Sequence, residues 1–364
     1  MLNPIHHLIL AVIFSTTVYL TSSIAMAERR EPDAVFNAHQ ARVVAIAGVD
    51  SERLARPSSI SVDETGKMFF WDISSRQIAW ETQVGSPSFV SYAYFATPQG
   101  SNVFALLRRG SPTNIYDIQT GSIVQTLKVP NSAREEWWIT GAFSPDARRF
   151  AISSEEGDVR LFDVETGLQT AAIEKPHRDG DPVGGAVAFS WDGLFLTVDS
   201  DNAITIYNAN TLDIVKSIPL DHLEITSPTS FSRDLRLLAV ANENNIYIFN
   251  TETLETIFIT KKPIQLYPGG LFTTAMEFDS QSPNLHVWHI SLEYPYHGHY
   301  EIINTLSGET TLSTPINSTV FNPDHGSEIS SLPPSSIFPR GHFLLTGRGD
   351  AESNSIAIWK LPTP

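Results

Sequence analysis

Three regularities predict an all-β fold, a seven-bladed β-propeller of four-stranded antiparallel blades. Seven β-type segments end on an aromatic residue followed by a turn: MFFWDIS at Trp71, TNIYDIQTG at Tyr116, DVRLFDVETG at Phe162, AITIYNANT at Tyr207, NIYIFNTET at Phe249, LHVWHIS at Trp288 and SIAIWKL at Trp359. The first six aromatics are 45, 46, 45, 42 and 39 residues apart, the repeat length of a propeller blade. Upstream of them recurs a hairpin phrase, an apolar strand, a turn of Ser, Pro, Asp or Gly, and a second apolar strand: AFSPDARRFAI, AFSWDGLFLTV and SFSRDLRLLAV.

The elements of each blade follow in order. The hairpin phrase supplies the first two strands, with weaker versions in YFATPQGSNVFAL and IFPRGHFLLTG. The third strand ends at the aromatic. The fourth follows the next turn, as SIVQTL from Ser122, LQTAAI from Leu168, LDIVKSI from Leu212 and LETIFI from Leu254. The chain ends on a third strand, SIAIWKL, so the last blade needs an outer strand from elsewhere, and Asp33 to Phe36 can supply it. Such a joint removes an open sheet edge. Between Pro268 and Ser336 two registers are open. LHVWHIS is either the third strand of blade 6, with an insertion after it, or the second, with HYEIINT and ETTLSTP as third and fourth. Either way, residues 28–364 form one propeller domain, irregular or interrupted over about 293–335.

Composition narrows the function classes. Lys and Arg number 24 against 40 Asp and Glu, a net charge of -16. Nucleic acid and anionic membrane surfaces call for basic patches and are disfavoured as partners. Cysteine is absent, which excludes disulfides, thiolate catalysis, iron–sulfur clusters and zinc–cysteine sites.

Residues 1–27 read as a signal peptide. An apolar run from Leu8 to Leu20 is followed by TSSIAMA, and Ala25-Met26-Ala27 fits a small-x-small cleavage site before Glu28. The expected product is exported, periplasmic or secreted, without stable membrane insertion after cleavage. The alternative is an uncleaved anchor, since Leu8–Ala27 approaches a bilayer span.

Ala38-His39 in blade 1, Trp71-Asp72 at the end of its third strand, and the Asp or Asn after most other aromatics carry a resemblance. The chain is similar to the WD-repeat β-propellers, and also resembles exported bacterial propellers with a Tyr-Val-Thr-Asn-type repeat. The WD-repeat resemblance implies a hydrogen-bond network bracing each blade, in which a turn Asp before the third strand and the Trp-Asp pair take part. Tryptophan stands only at Trp71, Trp288 and Trp359, and aspartate only at Asp72, Asp117 and Asp163, so the network is not expected in every blade.

Candidate sites are few. Tyr294, Tyr296 and Tyr300, within a His-rich segment, and Trp137-Trp138 are the candidate partner-binding anchors, because Tyr and Trp combine large contact area with a polar handle. His297 and His299, two apart on a strand, share a face and with His325 form a weak candidate for a metal site. Acidic stretches such as Asp199-Ser200-Asp201-Asn202 lack a full calcium-loop pattern and read as turns. No catalytic residue, cofactor or nucleotide-binding motif emerges. Asp72 with Trp80 faintly resembles the tryptophan-docking repeat of quinoprotein propellers. The resulting expectation is a monomeric, non-catalytic platform for protein partners. The alternative is a propeller enzyme of lactonase, hydrolase or quinoprotein-like redox type acting from its central channel.

Overall fold

The computed structural model describes residues 31–361 apart from a set of intervening segments, the longest being 86–92, 129–137, 174–183, 220–228, 265–270, 292–297, 317–334 and 348–353. The proposed signal segment and the calcium-like turn at 201–202 lie outside the described residues. No helix among the described residues is long and apolar enough to cross a membrane. The chain is all-β, a propeller of four-stranded antiparallel blades, and the described strands form seven such sheets.

Six sheets are sequential meanders. Blade 1 runs through Val43–Val49, Ser58–Asp63, Lys67–Asp72 and Ile78–Gln83. The others begin at Ala93–Ala96, Trp138–Phe143, Gly184–Phe189, Thr229–Phe231 and Leu271–Phe278. The seventh sheet joins Ser335–Phe338, Phe343–Gly347 and Ile356–Lys360 to Ala34–Phe36, which pairs antiparallel with the last of these. Asp33 reinforces that joint by accepting the Lys360 backbone N–H at 2.7 Å.

The second and third strands are largely buried because both faces of a blade are covered. Ile60, Val62, Met68 and Phe70 pack on Phe95, Phe104 and Tyr116 of blade 2. On its other face blade 1 sends Phe69, Trp71 and Ile73 against Leu345, Ile356 and Ile358. Side chains also staple neighbouring blades at the rim. The Trp80 indole N–H donates to the Ile118 carbonyl at 2.7 Å, so this tryptophan does dock on the next blade. Its ring lies where a Cβ on Gly121 would stand, 2.8 Å away, and Gly121 has φ +68°. Gly308 receives Phe258 of the preceding blade in the same way. At the inner strands Gly48 N–H donates to Ser336 Oγ (2.9 Å) and Ser335 Oγ to Thr274 Oγ1 (3.0 Å).

In blades 2 to 6 the turn after the third strand is built on one carboxamide or carboxylate oxygen. Asp117 Oδ1 accepts from the N–H groups of Gln119 and Thr120, and Asp163 Oδ1 from Thr166. Asn208, Asn250 and Asn304 make the equivalent bonds. Only an acceptor oxygen is required, so Asn replaces Asp without loss of the turn.

Blade 6 takes the second of the two registers. Asn284–Ser291 is its second strand, pairing with Leu271–Phe278 and with Gly298–Asn304, and Thr310–Ile316 is the outer strand. Trp288 therefore does not end a third strand, and residues 298–316 are regular blade rather than insertion. Asn304 and Gly308 (φ +75°) are the reason, because they build the same turn as Asp117 and Gly121.

Candidate functional site

Blade 1 carries a buried hydrogen-bond chain built from the hairpin and the segment before it. Trp71 Nε1–H donates to Ser61 Oγ at 3.1 Å. Ser61 Oγ meets His39 Nε2 at 2.8 Å, and His39 Nδ1 meets Asp63 Oδ2 at 3.0 Å. With Asp63 ionised, the chain runs from indole to hydroxyl to imidazole to carboxylate. The other Asp63 oxygen accepts from Thr65 N–H, Thr65 Oγ1 and Lys67 N–H. Burial raises the Asp63 pKa, but the bonds from His39, Thr65 and Lys67 outweigh it and hold the carboxyl below its ordinary value. Blade 7 keeps the fragment Trp359 Nε1–H to Thr346 Oγ1, at 3.0 Å. These are bracing contacts, sealed from solvent by Phe36 stacked on Trp71 with ring centroids 4.1 Å apart.

Blade 6 holds the densest buried polar cluster described. On the face turned to blade 5, His289 Nδ1 meets Thr273 Oγ1 at 3.0 Å and His289 Nε2 meets Glu301 Oε2 at 3.2 Å. Ser313 Oγ donates to Glu301 Oε1 at 3.0 Å and meets His299 Nε2 at 2.8 Å. Lys262, at the end of blade 5, is buried there, its ammonium 3.3 Å from the Leu271 carbonyl. Burial lowers the His289 pKa against the opposing pull of Glu301. The same burial carries His299 down to about 4. Both rings are neutral at pH 7. On the opposite face the Tyr300 hydroxyl donates to His286 Nδ1, and His286 Nε2 lies 3.8 Å from Asp279 Oδ2. Burial, with the Asp279 charge, pushes the Tyr300 hydroxyl above its usual range.

The residues expected to form sites separate. Tyr300 was expected as an exposed anchor but is fully buried, because its strand is the third of blade 6 and its ring packs towards blade 7. His299 is likewise buried and bonded to Ser313 rather than open to an ion. Among the described residues no cluster of three or more His, Asp or Glu is arranged to hold a metal. Trp138 opens the inner strand of blade 3. Trp137, Tyr294, Tyr296, His297 and His325 lie outside the described residues.

Sequence reasoning missed Ser61 and Asp63, and at the seam of blades 5 and 6 it missed Thr273, Glu301, Ser313 and Lys262. The first pair carried a readable signal, an alternate Ser and Asp on a strand leading into the turn before MFFWD. Thr273, Glu301 and Ser313 come from three different strands of blade 6 and Lys262 from just past the last strand of blade 5, and only pairing register and the packing of the two blades bring them together.

Solvent-facing apolar side chains concentrate elsewhere, on the outer strands. Ile123, Val124, Ile214, Val215, Ile257 and Ile259 are 47–64% exposed. Register shifts interrupt the pairing of these outer strands in blades 2, 4 and 5.

No protein-family model matches the chain. It is 45% identical over 64 residues to a guanine nucleotide-binding protein subunit beta of Nicotiana tabacum, covering 17% of each chain. To the subunit of that name in Arabidopsis thaliana it is 27% identical over 158 residues, 39% of this chain and 41% of the relative. To WD repeat-containing protein 1 of Mus musculus it is 32% identical over 82 residues, 21% of this chain and 13% of the relative. The chain thus spans well under half the length of these curated relatives. The four-stranded blades, the Trp71–Ser61–His39–Asp63 brace and these partial similarities together support a WD-repeat type of β-propeller.

Proposed function

We propose that the protein is an exported, non-catalytic platform that binds protein partners on the surface of a closed, seven-bladed propeller. The observation that carries this is the apolar rim. Isolated exposed apolar residues are ordinary, but Ile123 and Val124, Ile214 and Val215, and Ile257 and Ile259 form exposed apolar pairs on the outer strands of blades 2, 4 and 5, and grouped apolar surface marks interaction sites. Closure is supported by the pairing of Ala34–Phe36 with Ile356–Lys360 and by the bond between Gly48 and Ser336. The similarity to WD-repeat proteins agrees with a scaffold role. Export rests on the Leu8–Leu20 run and Ala25-Met26-Ala27, and an N-terminus at Glu28 in purified native protein checks it. Trp137, Trp138, Tyr294 and Tyr296 remain the proposed anchors, acting with the rim in a monomeric protein.

The test is a side-by-side affinity capture of tagged residues 28–364 from the native envelope fraction. Wild type is compared with a variant carrying alanine at Trp137, Trp138, Tyr294 and Tyr296, and with Ile214→Asp/Val215→Asp. A stoichiometric protein retained by wild type and lost from either variant is expected. Wild type that retains no protein above background, or the same set from all three, overturns the reading.

A further inference from the structure

Most of the contacts between blades are apolar. Blades 1 and 2 meet through Val62, Met68, Phe70, Phe95, Phe104 and Tyr116. The seam between blades 5 and 6 begins in the same way, with Ile246 and Ile248 against Leu285, Val287 and Ile303. It then changes character. Alternate side chains of a strand share a face, so His289 continues the row of Leu285 and Val287, and Glu301 and His299 continue that of Ile303. Polar, ionisable groups therefore occupy one end of the face that packs on blade 5.

We propose that this end of the seam is an acid-sensitive clasp: protonation of His289 and His299 parts the end of the blade 5 outer strand from blade 6. At neutral pH the parts fit. Each imidazole in its Nε2–H form donates inward, His289 to Glu301 and His299 to Ser313, while Ser313 donates to Glu301. Thr273 donates to the bare Nδ1 of His289. The Lys262 ammonium enters from blade 5 and is held on the first strand of blade 6 through the Leu271 carbonyl. A proton on His289 must go to Nδ1, where the Thr273 hydroxyl already sits, and that bond must reverse. A second positive charge then lies beside Lys262, and a third follows when His299 is protonated, all within a site closed to water. Burying charge in this way is expensive.

The ionisable groups that meet here are His289, His299 and Glu301 from blade 6 and Lys262 from blade 5. Glu277, Asp279, His286 and Tyr300 lie on the far face of the blade 6 sheet, given the pairing of Glu277 with His286 and of Trp288 with Tyr300. The direction of the effect follows from the sign of the shifts. Burial holds both histidines below their ordinary value of 6.5, His299 at about 4. An unfolded or opened chain takes up these protons near 6.5, whereas in the closed seam His299 takes up its proton only near 4 and His289 below its ordinary value. The seam is fully stable above about pH 6.5 and loses stability as pH falls from there through the lowered values of the two histidines, that of His299 lying at about 4. The clasp stands whether or not the platform reading holds. If both hold, opening moves Ile257 and Ile259, which ride on the same outer strand.

Amide hydrogen exchange of residues 28–364 tests it, compared at pH 7 and pH 4.5 after correction for intrinsic rates. Residues 256–262 and 298–304 are expected to lose protection at least ~10-fold more than the matching strands of blades 1 and 2, one pKa unit being a factor of ten. The double variant His289→Gln/His299→Gln keeps donors towards Glu301 and Ser313 but cannot titrate, and its seam is expected to hold its neutral-pH protection. Equal loosening in all blades of wild type, or the same seam-specific loss in a folded double variant, overturns the proposal. If the double variant does not fold, the wild-type map decides alone: loss confined to the seam supports the clasp, and uniform loss or none defeats it.

Discussion

At Ser61 one hydroxyl links an indole, an imidazole and, through it, a carboxylate, all buried. Replacing it leaves the Trp71 N–H and one His39 nitrogen without this partner, and an unmet buried polar group costs roughly 1–3 kcal/mol. Ser61→Ala is therefore expected to lower unfolding stability by about that amount in denaturant titration, and a change under a few tenths of a kcal/mol would show that the chain is ornamental. Tyr300 gives a complementary test. Its ring is buried and its hydroxyl bonded to His286, so Tyr300→Phe is expected to reduce stability by about 1 kcal/mol while leaving partner capture as in wild type. Loss of capture with unchanged stability would return Tyr300 to the surface role that its sequence neighbours suggest.

At the scale of the element, the turn between third and fourth strands places one residue in the left-handed region in blade after blade. Gly121, Gly167 and Gly308 fill it in blades 2, 3 and 6, with φ between +68° and +75°. In blade 1 the same place is taken by Arg76 at φ +61°, its N–H bonded to the Asp72 carbonyl as Gly121 is to Asp117. A side chain in this region costs about 1–2 kcal/mol relative to glycine, partly offset by the greater freedom of glycine in the unfolded chain. Arg76→Gly is expected to raise stability by about 1 kcal/mol, visible as a higher denaturation midpoint, and no gain would refute the assignment of strain. Within blade 6, Gly298 is needed for closeness rather than conformation. A Cβ there would stand 1.9 Å from the buried Trp288 ring, which is why an aromatic fits in a second strand. The sequence announced the tryptophan but not the glycine beneath it, so the spacing of aromatics alone pointed to the wrong strand.

At the scale of the whole molecule, Ala34–Phe36 is three residues long yet joins the first-encoded part of the domain to its last sheet. Phe36 is buried against Phe69 and Trp71, and His39, three residues on, belongs to the blade 1 brace. Deleting residues 28–40 removes both and exposes an edge of Ile356–Lys360. The truncated protein is expected to melt at lower temperature in one cooperative transition, or to aggregate. An unchanged melting temperature would mean that the fold is held without this strand.

The sequence by itself determined the repeat, the strand order, the turns and the terminal strand completing the last blade, because alternation and turn chemistry are local. DVRLFDVETG and NIYIFNTET announce a strand and a turn with no help from the rest of the chain. Only the tertiary structure decided the blade 6 register, the burial of Tyr300 and His299, and the meeting of His289, Glu301, Ser313 and Lys262. Those depend on which face a side chain takes and which blade covers it, and a shift of one residue in pairing reverses both.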